Sequence, residues 1–238
     1  MPRGWAYYGA CFREAIKQRG LVALALLMAL SVITVGAVIL FVFTDMGSWK
    51  FLKSFPLLEL VIVFITFFGG LLLGLFLFLY LGTAMLASAT SRLKGEGGSA
   101  RKGMGAAAAK AGLIFRSIRH LGAYSGGSDI FSASILLYED FMGFRSARER
   151  SKMLSSSLGK EVESAELFGS RMYWLCLCLP IPIIIITVTT GRSVGLSDLG
   201  IIALLALFIA ASLWLMGMNL AAIQTLKAKS YLEVTSTA

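Results

Sequence analysis

This sequence predicts an all-α integral membrane bundle of four transmembrane helices, with amphipathic interfacial helices in a long middle segment, and three observations carry that reading. Hydrophobic residues make up 57% of the 238 and charged residues only 15%, where a soluble domain carries about a quarter charged. The mean hydropathy is +0.80, and the apolar residues come in long unbroken runs instead of the short stripes of a soluble core. The arginines and lysines gather at the ends of those runs, as membrane topology requires. The net charge of +9 and the pI near 9.7 therefore read as orientation of the helices and contact with anionic headgroups, not as a nucleic-acid surface. The length fits one membrane domain, 1–238.

In chain order, the first twenty residues place Trp5, Tyr8, Phe12 and Ile16 at helical spacing with Arg13 and Lys17 between them. This predicts a surface helix whose cations reach lipid headgroups and whose Trp5 and Tyr8 sit in the interfacial belt. A basic segment nearly free of acids also has the character of an organellar targeting sequence. Leu21 to Phe43 then runs 23 residues without a charge, enough for a helix rising about 1.5 Å per residue to cross a core of about 30 Å. A secretory signal has an apolar stretch of only about 7 to 15 residues, so this span (21–43) reads as retained.

The second span, 57–91, has Glu59 at its edge and is uncharged from Leu60 to Ser91. Those 32 residues make about 48 Å of helix, so the span tilts or protrudes. Inside it, Gly70-x-x-x-Gly74 lets another helix approach closely where lipid offers no hydrophobic drive for association, within the bundle or with a different subunit. The third span, 172–190, is broken by Pro180 and Pro182, which predict a kink and either a packing corner or the mouth of a cavity. The fourth, 199–226, follows Ser197 and Asp198, which suit a helix start. Asn219 and Gln224 near its far end read as interhelical hydrogen-bond partners or interfacial residues.

Twelve cations flank one side of these spans: Arg3, Arg13, Lys17 and Arg19, then Arg92, Lys94, Arg101 and Lys102, then Lys160, Arg171, Lys227 and Lys229. Only Lys50, Lys53 and Arg192 flank the other. Both termini and the segment 92–171 are thus expected on the cytoplasmic side.

That segment opens with Lys94-Gly-Glu-Gly-Gly-Ser, a flexible linker by composition; without a preceding strand or a closing Gly-Lys-Ser/Thr it is a poor phosphate loop. From Lys102 to Leu121 an apolar face of Ala107, Ala111, Ile114, Ile118 and Leu121 opposes Arg116, Arg119 and His120. It reads as an interfacial helix with Arg116 and Arg119 at headgroups, or as a helix packed on the ends of the spans. Ile130 to Tyr138 is too short to cross as a helix and is re-entrant, interfacial or buried against the bundle. Gly143 to Gly169 reads as one polar helix with an intermittent apolar face.

Catalytic and metal chemistry find few candidates. Cys11, Cys176 and Cys178 are odd in number and imply no disulfide framework, and residues 176 and 178 fall on opposite helical faces. His120 is the single histidine. Glu139 and Asp140 are adjacent and diverge on a helix, which suits a helix start or an ion pair better than acid/base work. No cofactor, metal site or enzymatic activity is expected, and no ionisable group lies deep inside a span as ion-coupled transport would require.

Residues 135 to 161, with Glu139, Gly143, Ala147, Arg150, Ser151 and Leu154 as the matching positions, resemble a pattern in uncharacterised prokaryotic multispanning membrane proteins. There an apolar run ends in an acid, a glycine follows, and a helix opens with Ala, a spacer and Arg-Ser before Leu. The loop from Arg92 and the segment 101–116 are similar more loosely. The resemblance implies a membrane protein of unassigned activity and transfers no catalytic residue. Members have two further full spans, where the segments around Leu113 and Ile135 are shortened here.

The function expected is a non-catalytic structural, assembly or accessory subunit of a membrane complex; the alternative is a small-solute channel, permease component or lipid-handling protein. Its partners would be membrane lipids and other membrane subunits or a second copy, without nucleic acid. The prokaryotic cytoplasmic membrane is the expected location, with an organellar inner membrane as the alternative.

Overall fold

The computed structural model describes residues 2–45, 56–117, 132–139, 144–155, 160–178 and 198–237. Among them the secondary structure is helical: α1 (Pro2–Lys17), α2 (Arg19–Asp45), α3 (Pro56–Leu93), α4 (Ala100–Ala109), α5 (Ala111–Ser117), α6 (Ser132–Tyr138), α7 (Phe144–Ser155), α8 (Lys160–Cys178) and α9 (Asp198–Thr237). Among the described residues three stretches are long and apolar enough to cross a membrane: Arg19–Ile39 in α2, Val61–Leu93 in α3 and Leu204–Ser236 in α9. Of the expected third span, only 172–178 is described, as the end of α8; Pro180 and Pro182 lie outside the described residues.

Each long helix divides into two halves. The N-terminal part of α2 and the C-terminal parts of α3 and α9 share one core, in which Leu24, Met28, Met85, Leu86, Met218 and Leu226 are almost fully buried. Because opposite ends of the sequence order meet there, α2 runs antiparallel to α3 and α9. The other halves leave large apolar side chains exposed, Leu30 and Val38 on α2, Phe64 to Leu73 on α3, Leu204 to Leu215 on α9. Physical chemistry separates the two zones. Where water competes, burying a Leu or Met side chain contributes about 1.5–3 kcal/mol. Where acyl chains compete, that drive vanishes and contact relies on close backbone approach and hydrogen bonds.

Close approach is supplied by small residues. A side chain at Gly217 of α9 would lie 2.8 Å from the Ala25 carbonyl of α2, and one at Gly103 of α4 would overlap the Ala84 carbonyl of α3. The turn that delivers α4 onto α3 is built from the glycines that suggested a flexible linker. Gly95 and Gly97 take φ of +79° and +71°, values open to Gly and costly for other residues. Ser99 caps α4 by accepting from the Lys102 amide at 3.2 Å, and the Lys102 ammonium donates to the Glu96 carbonyl at 2.9 Å. The linker is an ordered helical hairpin turn, because its carbonyls and amides find partners locally.

Four expected boundaries are corrected. The helix expected over 102–121 is two, α4 and α5, broken at Lys110, where φ −109° and ψ 11° end α4. The polar helix over 143–169 is likewise two, α7 and α8, and α8 starts at Lys160 and continues past Met172. The helix of the expected fourth span extends beyond 226 to Thr237, since tertiary contacts of its charged end hold the helix where hydropathy fades. On α1, the buried face is Tyr8, Cys11 and Ala15, continued by Gln18 at the break before α2, while Trp5 and Ile16 stay about half exposed. The aromatic stripe of α1 is rotated as α1 packs on both α8 and α9, and at Gly4 an added side chain would overlap Ser164 of α8.

Candidate functional site

Asn219 is the point where three helices meet. It sits on α9 after the exposed apolar half, is only 3% exposed, and is flanked by Met218 and Leu220 in the core. Its side-chain oxygen accepts from the Tyr8 hydroxyl of α1, and its amide nitrogen donates to the Gly169 carbonyl of α8 at 3.0 Å. Gly169 permits this: a side chain there would come within 3.0 Å of the Tyr8 ring. Tyr8 in turn packs edge-on against Phe168, with ring centroids 5.2 Å apart, and burial pushes its phenol well above the usual range. Burial also pushes the Cys11 thiol up to about 11, partly opposed by Lys229. Beside this joint lies an aromatic pocket of about 220 Å³, walled by Trp5, Phe12, Phe168 and Met172.

A second polar cluster joins α6, α7 and α9. The Tyr231 hydroxyl donates to Glu139 at 3.0 Å, the Arg150 guanidinium lies 3.6 Å from the same carboxylate, and the Tyr138 and Tyr231 rings stack at 6.2 Å. Ala147, Ser151 and Leu154 form the buried face of α7, against Ile135, Val162 and Tyr231. Of the six positions singled out in the sequence pattern, Ala147, Ser151 and Leu154 are buried here, Glu139 and Arg150 are partly exposed at the edge of the cluster, and Gly143 lies outside the described residues. Ile135 is fully buried, so the described part of the 130–138 run is packed against the bundle.

A third feature is a cavity of about 200 Å³ between α3, α5, α6 and α9. Its walls are mostly apolar, with Leu79, Leu113, Leu137 and Leu220 among them, and Lys110, Lys227, Gln224 and Thr83, whose hydroxyl donates to the Leu79 carbonyl, are its polar groups. Lys227 pairs with Glu166 at 3.4 Å. Among the described residues, the Gln224 side-chain oxygen is buried without a hydrogen-bond partner.

The other expected residues scatter. Gly70 meets α2, where an added side chain would lie 2.8 Å from Ile39 Cδ1, but Gly74 has nothing within 4 Å; the two do not share one seam. Arg13 and Lys17 are on the exposed face of α1. Arg116 falls on α5 and its side chain is outside the description, as are Arg119 and His120 altogether. Cys11, Cys176 and Cys178 are free thiols, and no group of three or more metal-ligating side chains converges among the described residues. Lys110, Lys227 and Glu166 were not singled out as a site by sequence; their spacings of 56 and 61 residues carry no local signal.

Among the described residues the chain is therefore all-helical, with three helices long and apolar enough to cross a membrane, tied together at one end by one buried and one part-buried polar joint. No family model, curated protein or solved structure matches it.

Proposed function

We propose that the protein is a non-catalytic structural or accessory subunit of a membrane complex, with both termini and the packed end on the cytoplasmic side. The observation behind this reading is the exposed outer half of α2 and α3. Among the described residues, Gly36, Gly69 and Gly74 there have nothing within 4 Å of the place a side chain would take. Around them stand Phe64, Phe67 and Phe68, whose rings contact one another at 4.3 and 5.4 Å. Glycine notches bordered by large apolar side chains suit a second helix, because close packing in lipid needs a small residue on one side and a knob on the other. Asn219 with Tyr8, and Tyr231 with Glu139, are engaged in holding this chain's own helices together, which fits a scaffold. Placement of the packed end follows from the excess of cations around it.

A photo-cross-linker replacing Phe68 tests the reading in native membranes. A protein adduct of defined mass is expected, lost when Gly69→Leu and Gly74→Leu fill the notches while the thermal midpoint is kept. Adducts with lipid alone, together with a single-chain mass after gentle extraction, would remove the proposal.

A further inference from the structure

We infer that the cavity between α3, α5, α6 and α9 is a binding site for one anionic phospholipid from the leaflet at the cation-rich end. The site stands apart from the notched outer faces, and its fate does not depend on the accessory-subunit reading.

Position comes first. Along α9 the exposed apolar residues end at Leu215, the cavity wall follows at Leu220, Ile223 and Gln224, and Lys227 closes it. From Leu215 to Lys227 a helix rises about 18 Å, close to the roughly 15 Å depth of one hydrocarbon leaflet. On α3 the order is the same in space, with exposed Leu73 followed by Phe78, Leu79 and Thr83 at the cavity. An amphiphile lying along these helices meets hydrocarbon-like surface for its tail and then cations for its head.

Size and charge select the occupant. A volume of about 200 Å³ exceeds the roughly 150 Å³ apolar cavity that accepts benzene, so it admits the glycerol end and the first carbons of an acyl chain but not a folded lipid. Lys110 makes no ion pair among the described residues, whereas Lys227 shares its charge with Glu166. Two ammonium groups and one carboxylate leave one positive charge, which a phosphodiester neutralises. The unpartnered Gln224 oxygen is an acceptor for a hydroxyl or ammonium on the headgroup. Burying it unpaired is costly, and a donor from the lipid relieves that cost. A zwitterionic headgroup would leave the net charge uncompensated, and a fully apolar occupant would leave Gln224 unsatisfied.

The test is photolabelling in vesicles of phosphatidylcholine and phosphatidylglycerol, using either lipid with a diazirine in its acyl chain near the glycerol. Adducts of the phosphatidylglycerol probe are expected on peptides containing 78–83, 110–114 or 220–227, in excess over the phosphatidylcholine probe. Lys110→Gln should lower that excess about fivefold, as loss of one lysine attraction to an anionic lipid does. Lys110 ends α4 through its backbone amide alone, so this variant keeps the fold, and its thermal midpoint provides the control. Gln224→Leu should lower labelling by phosphatidylglycerol and spare that by phosphatidylcholine. Equal labelling by the two probes, no response to Lys110→Gln, or adducts confined to the outer faces 61–73 and 204–215 each overturn the site.

Discussion

Asn219 shows how much one polar side chain can organise inside a packed junction of three helices. Its two hydrogen bonds tie α9 to α1 and α8 at once, and in a low-dielectric setting an orphaned partner is costly. Asn219→Ala leaves the Tyr8 hydroxyl buried without its acceptor, a loss of about 1–3 kcal/mol. Thermal unfolding in detergent should therefore show a clearly lowered midpoint, whereas an unchanged midpoint would mean that the joint is ornamental. The polar character of Asn219 near the end of an apolar run was visible in the sequence and suggested an interhelical partner. Its actual partners, a tyrosine 211 residues away and a backbone carbonyl 50 away, were not visible, since no periodicity links them.

Between elements, the seams are set by where a Cβ is missing. Gly70 and Gly74 stood out because they are four apart inside a long apolar run. The tighter crossings are at Gly103 against Ala84 and Gly217 against Ala25. A signal existed at Gly217-x-x-x-Ala221 and Ala84-x-x-x-Ser88, the same small-residue spacing, but alanine and serine are common enough to hide it. Gly103→Ala should push α4 off α3, with a loss of about 1–3 kcal/mol typical of overpacking. Gly74→Ala in the isolated chain should be neutral or stabilising by about 0.5–1 kcal/mol, because helical glycine costs that much and the space is open. Limited proteolysis around Lys94 to Lys110 separates the two variants: faster cleavage is expected in the first only, and equal rates would refute this assignment of the seam. The helix ends were less legible than the helices themselves. Runs of uncharged residues mark where hydrocarbon is preferred, but α9 carries on past Lys227 because Glu166 pairs with that lysine and the Tyr7 ring receives Lys229 at 5.1 Å.

Across the whole molecule, charge orders the bundle along its axis, with cations around the packed end and apolar side chains exposed at the other. In a cysteine-free background, cysteines placed at Ser48 and Ser193 should react with an impermeant thiol reagent from outside intact cells. One at Arg148 should react only after permeabilisation, and the reverse pattern would invert the topology proposed from the count of cations. Composition and run length by themselves predicted a helical chain with four apolar stretches suited to a membrane, of which three are long helices among the described residues; that much is legible because it depends on the transfer of contiguous segments out of water and needs no knowledge of neighbours. Tertiary structure alone decided which face of α1 is buried, that a glycine-rich linker is an ordered turn, and that Glu139, Arg150 and Tyr231 meet, as do Lys110, Gln224 and Lys227. Those outcomes depend on which backbones can come within van der Waals contact, a property of pairs of helices that no single helix encodes.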